Sequence, residues 1–299
     1  MSKKPRIPRV SIIVPFRGND ALFEETLLSV LENRPAGCEV VVAHNGTYTD
    51  PFQLGDELRF AIARSSNLVD LVRDAYETTQ SQFVHVIAPG LRAKPDWICE
   101  ALQPFESNRV AAVVPTIVGE AQSSRVGGWR DTRGMLCKPI TVDGANSVGG
   151  GYLSSLVCRR SVLGSLLECV APAMVDENQV SYAFGCLLRL AGWTTVVASG
   201  SKLEDVCGFQ PGGAIGDERG RRLAAIRETV LPDDEPLSGV SMLGEAIFGS
   251  SSIGEMLGTM RYRAELASVQ RMIDSDKMIA LDSTSGILKV TVPSERVAA

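Results

Sequence analysis

The run VSIIVP at Val10–Pro15 constrains this chain more than any other feature. It is apolar on nearly every residue instead of alternating. A strand of that kind must be covered on both faces, as in a parallel sheet with helices above and below. Glu39–Ala43 (EVVVA), Phe83–Ile87 (FVHVI) and Val110–Val114 (VAAVV) repeat the pattern, and Leu58–Ala63 is a weaker version of it. Helical spacing fills the intervals. Leu22, Phe23, Thr26, Leu27, Val30 and Leu31 form one apolar stripe, with Asn19 or Asp20 able to cap it and Pro35-Ala36-Gly37 to stop it. Leu68, Leu71, Val72 and Ala75 form another, opened by Asn67, and Trp97–Phe105 is a third. Strands alternating with helices at this spacing predict an α/β fold with a mainly parallel sheet.

Beyond Val114 the texture changes. From Gly119 to Gly151, Gly and Ser are frequent and periodicity is lost, which predicts a loop over the active face. Tyr152–Leu167 reads as strand then helix, Gln179–Leu190 as a helix stopped by Gly192, and Thr194–Ala198 as a short strand. Arg219–Val230 is an amphipathic helix. Pro232-Asp233-Asp234-Glu235-Pro236 has the composition of a linker, so residues 1–231 are expected to form the main domain and 232–299 a linker and small extension. The extension holds helix-compatible segments and a strand-like Ile287–Val292.

Composition removes several functions. A net charge of −5 argues against a phosphate-backbone binder, so no nucleic-acid partner is expected. The 7 Cys are scattered without a C-x-x-C pair, which fits buried reduced thiols better than a disulfide framework or zinc site. Only 2 His occur, excluding a His-rich metal centre. The apolar run after the basic MSKKPRIPR is too short for a signal peptide, and no stretch reaches the roughly 18–20 apolar residues that span a bilayer. A cytoplasmic protein is expected, at most peripheral to the inner face of the membrane.

Ligands of open α/β sheets bind at the carboxyl ends of the strands. Those ends carry Pro15-Phe16-Arg17, His44-Asn45-Gly46-Thr47, Asn67 and Ala88-Pro89-Gly90. Neither a G-x-G-x-x-G after the first strand nor a G-x-x-x-x-G-K-[ST] is present, which argues against a dinucleotide site and excludes a P-loop. No G-x-S-x-G elbow supports a hydrolase triad.

The segments VSIIVPFRGND, LLSVLEN, CEVVVAHNGT, Asn67 and FVHVIAPGLRAKPDWICEAL follow one another with the order and spacing of a family 2 glycosyltransferase. GGGYLSSLVCRRSVLGSL and LLRLAGWTTVVAS resemble that family's acceptor-side segment and its later AGY-like turn more weakly. The resemblance implies a GT-A fold, a nucleotide-sugar donor, a saccharide or lipid-linked acceptor, and inverting transfer. It places the nucleotide against Pro15, Phe16, Arg17, His44, Asn45 and Asn67.

Departures from the family pattern are equally informative. His44 stands where the family has a base-binding Asp, and the D-x-D that holds a divalent ion is Ala88-Pro89-Gly90, without a ligand. Metal-independent chemistry is therefore expected, with no cofactor and no Mn²⁺ or Mg²⁺. Cations must then meet the departing diphosphate, and Arg17, Arg92, Lys94, Arg221 and Arg222 are candidates, set against a reading as solvated surface charges. Glu204 or Asp205 lies near the family's late metal ligand. Asp176 and Glu177 are the acids nearest the catalytic-base position, with Glu177 favoured; as acids at a helix start they also fit plain capping. His44 suits either base stacking or a turn, His85 a core position, and Trp129-Arg130-Asp131 an acceptor pocket or a loop anchor. The missing carboxylates keep open a catalytically degenerate scaffold or binding module in polysaccharide assembly; a nucleotide-binding or nucleotidyl-transfer protein on the same kind of sheet is a second alternative, against which the lack of a Gly-rich phosphate loop after the first strand counts.

Overall fold

A computed structural model describes residues 9–51, 53–55, 57–119, 124–142, 148–249, 251–281 and 288–289. The chain opens with β1 (Val10–Pro15), α1 (Asp20–Asn33), β2 (Cys38–His44), β3 (Arg59–Ile62), α2 (Leu68–Thr78) and β4 (Phe83–Val86). A short β5 (Leu91–Ala93) and α3 (Trp97–Leu102) lead to β6 (Val110–Val118). Then come β7 (Ser124–Arg130), β8 (Lys138–Thr141), β9 (Gly150–Gly151), β10 (Val157–Arg159), α4 (Arg160–Cys169), α5 (Glu177–Leu190), β11 (Thr194–Asp205) and α6 (Gly216–Val230). Three further helices follow: α7 (Gly239–Phe248), α8 (Ile253–Met260) and α9 (Arg263–Met272).

Eleven strands form one sheet, whose main path runs β3-β2-β1-β4-β10-β6-β11-β5. β3, β2, β1 and β4 are mutually parallel, and β6 pairs parallel with β11. β10 enters antiparallel between β4 and β6 and keeps those two running the same way. The carboxyl ends of β1, β2, β4 and β6 therefore share one edge. Cover on both faces accounts for the continuous apolar runs. Ile13 packs into a cluster with Leu71, Val72 and Val162, whereas its neighbours Ile12 and Val14 pack with Phe23, Leu27 and Trp97. Helices α1 and α2 begin at Asn19 and Asn67, whose side chains accept N–H bonds from Leu22 and Asp70.

Two segments differ from expectation. The Gly-rich stretch predicted as loop carries β7, β8 and β9, joined antiparallel to one another and to β6. Its glycines are there for contact: a Cβ at Gly150 would stand 2.5 Å from the Trp129 ring and one at Gly149 2.7 Å from it, and Gly185 of α5 likewise leaves room, since a Cβ there would stand 2.4 Å from the same ring. β11 runs to Asp205, well past Ala198, because a register shift between Ala198 and Lys202 lets it continue beside β6 and reach β5. Most of the strand expected at Ile287–Val292 lies outside the described residues.

The segment after Pro232 returns to the main core. Val269, Ile273 and Met278 belong to the same apolar cluster as α4, α5 and α6. The Ala171 N–H donates to the Met272 carbonyl at 2.8 Å, and the Asp274 N–H to that of Cys169 at 2.8 Å. No described helix is long and apolar enough to cross a membrane.

Candidate functional site

Glu177 is the first residue of α5 and is 4% exposed. Its Oε2 accepts the Gly212 N–H at 3.0 Å. Burial raises its pKa above the ordinary value, opposed by the Ser154 hydroxyl, the Gly212 N–H and the Arg17 charge. Ser154 lies close enough to exert that pull, yet no full hydrogen bond reaches Oε1. One carboxylate oxygen is thus held by Gly212 and the other is buried beside Ser154.

Asp176, one residue earlier, is fully occupied. Its Oδ1 caps α5 by accepting the Gln179 N–H at 2.9 Å, and its Oδ2 accepts the Ala214 N–H at 2.6 Å. The Asn178 N–H returns a bond to the Gly212 carbonyl at 3.2 Å. These bonds strap residues 212–214 across the start of α5. Gly213 permits it, with φ +151 and no room for a Cβ, which would stand 2.6 Å from Asp176 Oδ1.

Arg17 follows β1 and brings its guanidinium to the same place, 3.9 Å from where a Gly212 Cβ would stand. Ala88 follows β4, and its N–H donates to the Ser154 carbonyl at 2.9 Å. The structure therefore gathers Arg17, Ala88, Ser154, Glu177 and Gly212 at one sheet edge. Ser154 and Gly212 are not singled out from sequence: Ser154 falls within the segment GGGYLSSLVCRRSVLGSL without being marked there, Gly212 sits in no motif, and long-range pairing brings both in.

Other candidates have internal partners. The Phe16 ring packs on Phe23 and Tyr48 at centroid separations of 5.2 and 5.1 Å. His44 lies buried near Tyr48 and Phe60, its Nδ1 accepts the Gly46 N–H at 3.1 Å, and burial lowers its pKa. Pro15 is buried in β1, and Asn45 Oδ1 accepts the Thr47 hydroxyl at 2.7 Å. Asn67 caps α2 and donates to Asp70 Oδ2 at 2.8 Å. Lys94 pairs with Glu204 at 2.5 Å, and Arg92 with Glu25 and Glu204. Arg221 and Arg222 reach Glu265 at 3.7 and 3.6 Å and so tie α6 to α9. His85 is wholly buried, with Nδ1 3.2 Å from the Leu156 carbonyl. Trp129 packs on Tyr182 with centroids 4.7 Å apart, and Asp131 accepts the Tyr182 hydroxyl at 2.9 Å, which anchors the segment.

Ala88-Pro89-Gly90, where the resemblance expects a metal motif, does not fit a divalent ion. Ala88 and Gly90 supply no side-chain oxygen. Gly90 has φ +92, its N–H donates to Thr26 Oγ1 at 3.0 Å, and a Cβ there would stand 2.3 Å from Cys207 Sγ. Asp205 accepts the Cys207 and Phe209 N–H groups at 3.1 and 2.7 Å and pairs with Arg125 at 2.7 Å. Among the described residues, no group of three or more His, Cys, Asp or Glu is placed to hold a metal.

No family model matches the sequence, and no curated protein does. Solved structures do resemble the fold. The crystal structure of GalNAc-T7 with UDP, GalNAc and Mn²⁺ aligns at TM-score 0.53 and 11% identity over 90% of this chain and 59% of that one. The mannosyltransferase PcManGT from Pyrobaculum calidifontis, in complex with GDP-Man and Mn²⁺, aligns at TM-score 0.47 and 14% identity over 88% of this chain and 70% of that one. This chain spans 59% of the length of the GalNAc-T7 chain, and what the likeness establishes is architecture. The curled mixed sheet flanked by helices is a GT-A-like glycosyltransferase fold.

Proposed function

We propose that this protein is a family 2-like glycosyltransferase that moves a sugar from a nucleotide-sugar donor to an acceptor hydroxyl with inversion and without a divalent ion. One observation carries the reading: a buried carboxylate, Glu177, held by the Gly212 N–H beside the Arg17 guanidinium, at the ligand-binding edge of a GT-A-like sheet. The acceptor oxygen attacks the anomeric carbon as the bond to the diphosphate breaks, and its proton passes to the Glu177 carboxylate. The helix start favours the ionised carboxylate, and Arg17 meets charge developing on the diphosphate. The test is calorimetry with UDP and GDP, in Mn²⁺ and in EDTA, followed by turnover with the corresponding sugar donors. UDP comes first because the GalNAc-T7 structure contains it. Equal binding in both media is expected, with a loss of at least about a hundredfold in rate for Glu177→Gln, equivalent to about 2.7 kcal/mol. Chelator-sensitive binding, or undiminished turnover in that variant, overturns the assignment.

A second reading, a degenerate scaffold, is favoured by the internal use of His44 and Asn67 and by the closed packing of Gly90 against Cys207. Absence of nucleotide binding in both media would select it.

A further inference from the structure

Helices α7 and α8 pack against each other and turn apolar side chains outward. On α7, Val240, Leu243 and Ile247 recur at helical spacing, with Val240 85% exposed, and Phe248 ends the helix 89% exposed. On α8, Ile253, Leu257 and Met260 repeat the spacing and are exposed too. Ile215 adjoins them, because a Cβ at Gly254 would stand 3.8 Å from the Cα of Gly216. An outward apolar face continuous over two helices is unusual on a lone domain and marks a binding surface.

The charges around this face are sorted. Its carboxylates point inward: Glu245 pairs with Lys138 at 2.6 Å, and Glu255 pairs with Arg219. On the α6 side, Asp217 pairs with Arg221 and Arg261, and Glu218 with Arg222. Arg261 and Arg263, directly after α8, are exposed. So is Arg133, whose carbonyl accepts the Ser238 N–H at 2.9 Å just before α7.

We infer that the α7–α8 face lies in the surface of an anionic lipid bilayer, with its apolar side chains at the acyl boundary and Arg133 and Arg263 among the headgroup phosphates. The charge pattern selects lipid over a second copy of the chain. A two-fold dimer brings a patch against itself, so its cations need carboxylates within the same patch. Here Glu245, Glu255, Asp217 and Glu218 are already engaged by Lys138 and arginines of the same chain, whereas Arg133 and Arg263 have no ion-pair partner among the described residues, and a phosphate surface complements them. The helices are short and lie on the molecule's exterior, which suits an in-plane seat and not a span. This inference does not depend on the sugar-transfer reading.

The test is flotation of the full chain with phosphatidylcholine vesicles, with and without phosphatidylglycerol, alongside sedimentation equilibrium in the absence of lipid. The chain is expected to float with anionic vesicles and to remain monomeric without them. The Ile247→Glu, Phe248→Glu double variant changes exposed side chains only, so its folding is checked by circular dichroism. It should lose vesicle binding by at least about tenfold. Arg133→Gln with Arg263→Gln should bind more weakly and lose the preference for phosphatidylglycerol. Failure of the unmodified chain to float with either vesicle overturns the inference, as does a dimer in solution that the Ile247→Glu, Phe248→Glu change dissociates. Equal flotation of the unmodified chain and the double variant also overturns it.

Discussion

Glu177 places reactivity and stability in opposition. Burial raises its pKa above the ordinary 4.5, so the folded state holds the proton more tightly than the unfolded chain does. The stabilising contribution is then fully present below about pH 4.5 and is lost as pH rises through the folded value. At neutral pH an ionised Glu177 costs stability, while the proposed transfer needs that ionised form, so the acid limb of the rate should lie above the ordinary Glu range. Glu177→Gln is expected to raise the melting temperature near pH 7, with the advantage vanishing toward pH 4. Thermal unfolding across that range decides it; a variant less stable at every pH would mean that the Gly212 bond outweighs burial. His85 has the opposite sign. Burial lowers its pKa from 6.5 to about 4, so its contribution is present above 6.5 and is lost as pH falls through 4. At about 1.4 kcal/mol per pH unit, roughly 3 kcal/mol of stability should disappear over that interval. Urea unfolding of the wild type and His85→Gln should show this slope in the first only. Glu177 was legible through a family register, and His85 through its place inside an apolar strand. Ser154 and Gly212 were not legible, because what makes them matter is a contact over a long loop.

At the scale of elements, the strap over α5 joins capping to site geometry. Asp176 holds the helix start with one oxygen and the Ala214 N–H with the other, and Gly212 in turn holds Glu177. Asp176→Ala should therefore cost about 1–2 kcal/mol in denaturant unfolding, more than a cap alone, because it also frees the strap. Amide exchange at Ala214 should speed up in the same variant. Unchanged exchange there would show that the strap is held by other contacts. Strands β1, β2, β4 and β6 could be read from sequence because each is apolar on both faces, and only a strand covered above and below needs that pattern. Strands β7 to β9 could not, because their signal is the absence of side chains. Gly149, Gly150 and Gly185 make room for Trp129, and that need appears only once the indole is in place. The second half of β11 hid for a different reason: its residues are polar and its register shifts after Ala198.

At the scale of the whole molecule, the Pro-bounded acidic segment at 232–236 suggests a boundary, but the chain beyond it comes back. Val269, Ile273 and Met278 are buried in the cluster that also holds Val170, Leu223 and Ile226. Val170 and Ile273 form an antiparallel bridge, and Arg221 and Arg222 reach Glu265. Helix α6, against which α5 and hence Glu177 are packed, is thus covered on its other side by α8 and α9. Removing residues 232–299 would bare the apolar face of α6 and unpair those arginines, so the shortened chain should unfold at lower denaturant and bind nucleotide poorly. Gross truncation can fail for trivial reasons, so a point change gives the sharper measure. Ile273→Ala removes most of a buried side chain and should cost roughly 2–4 kcal/mol, a large share of the 5–15 kcal/mol typical of a folded domain. If α7–α9 were an independent appendage, that loss would appear as a separate early transition, leaving the main unfolding midpoint where it was. The shared cluster predicts one cooperative transition shifted as a whole, read by tryptophan fluorescence at Trp97 and Trp129 together with far-ultraviolet dichroism.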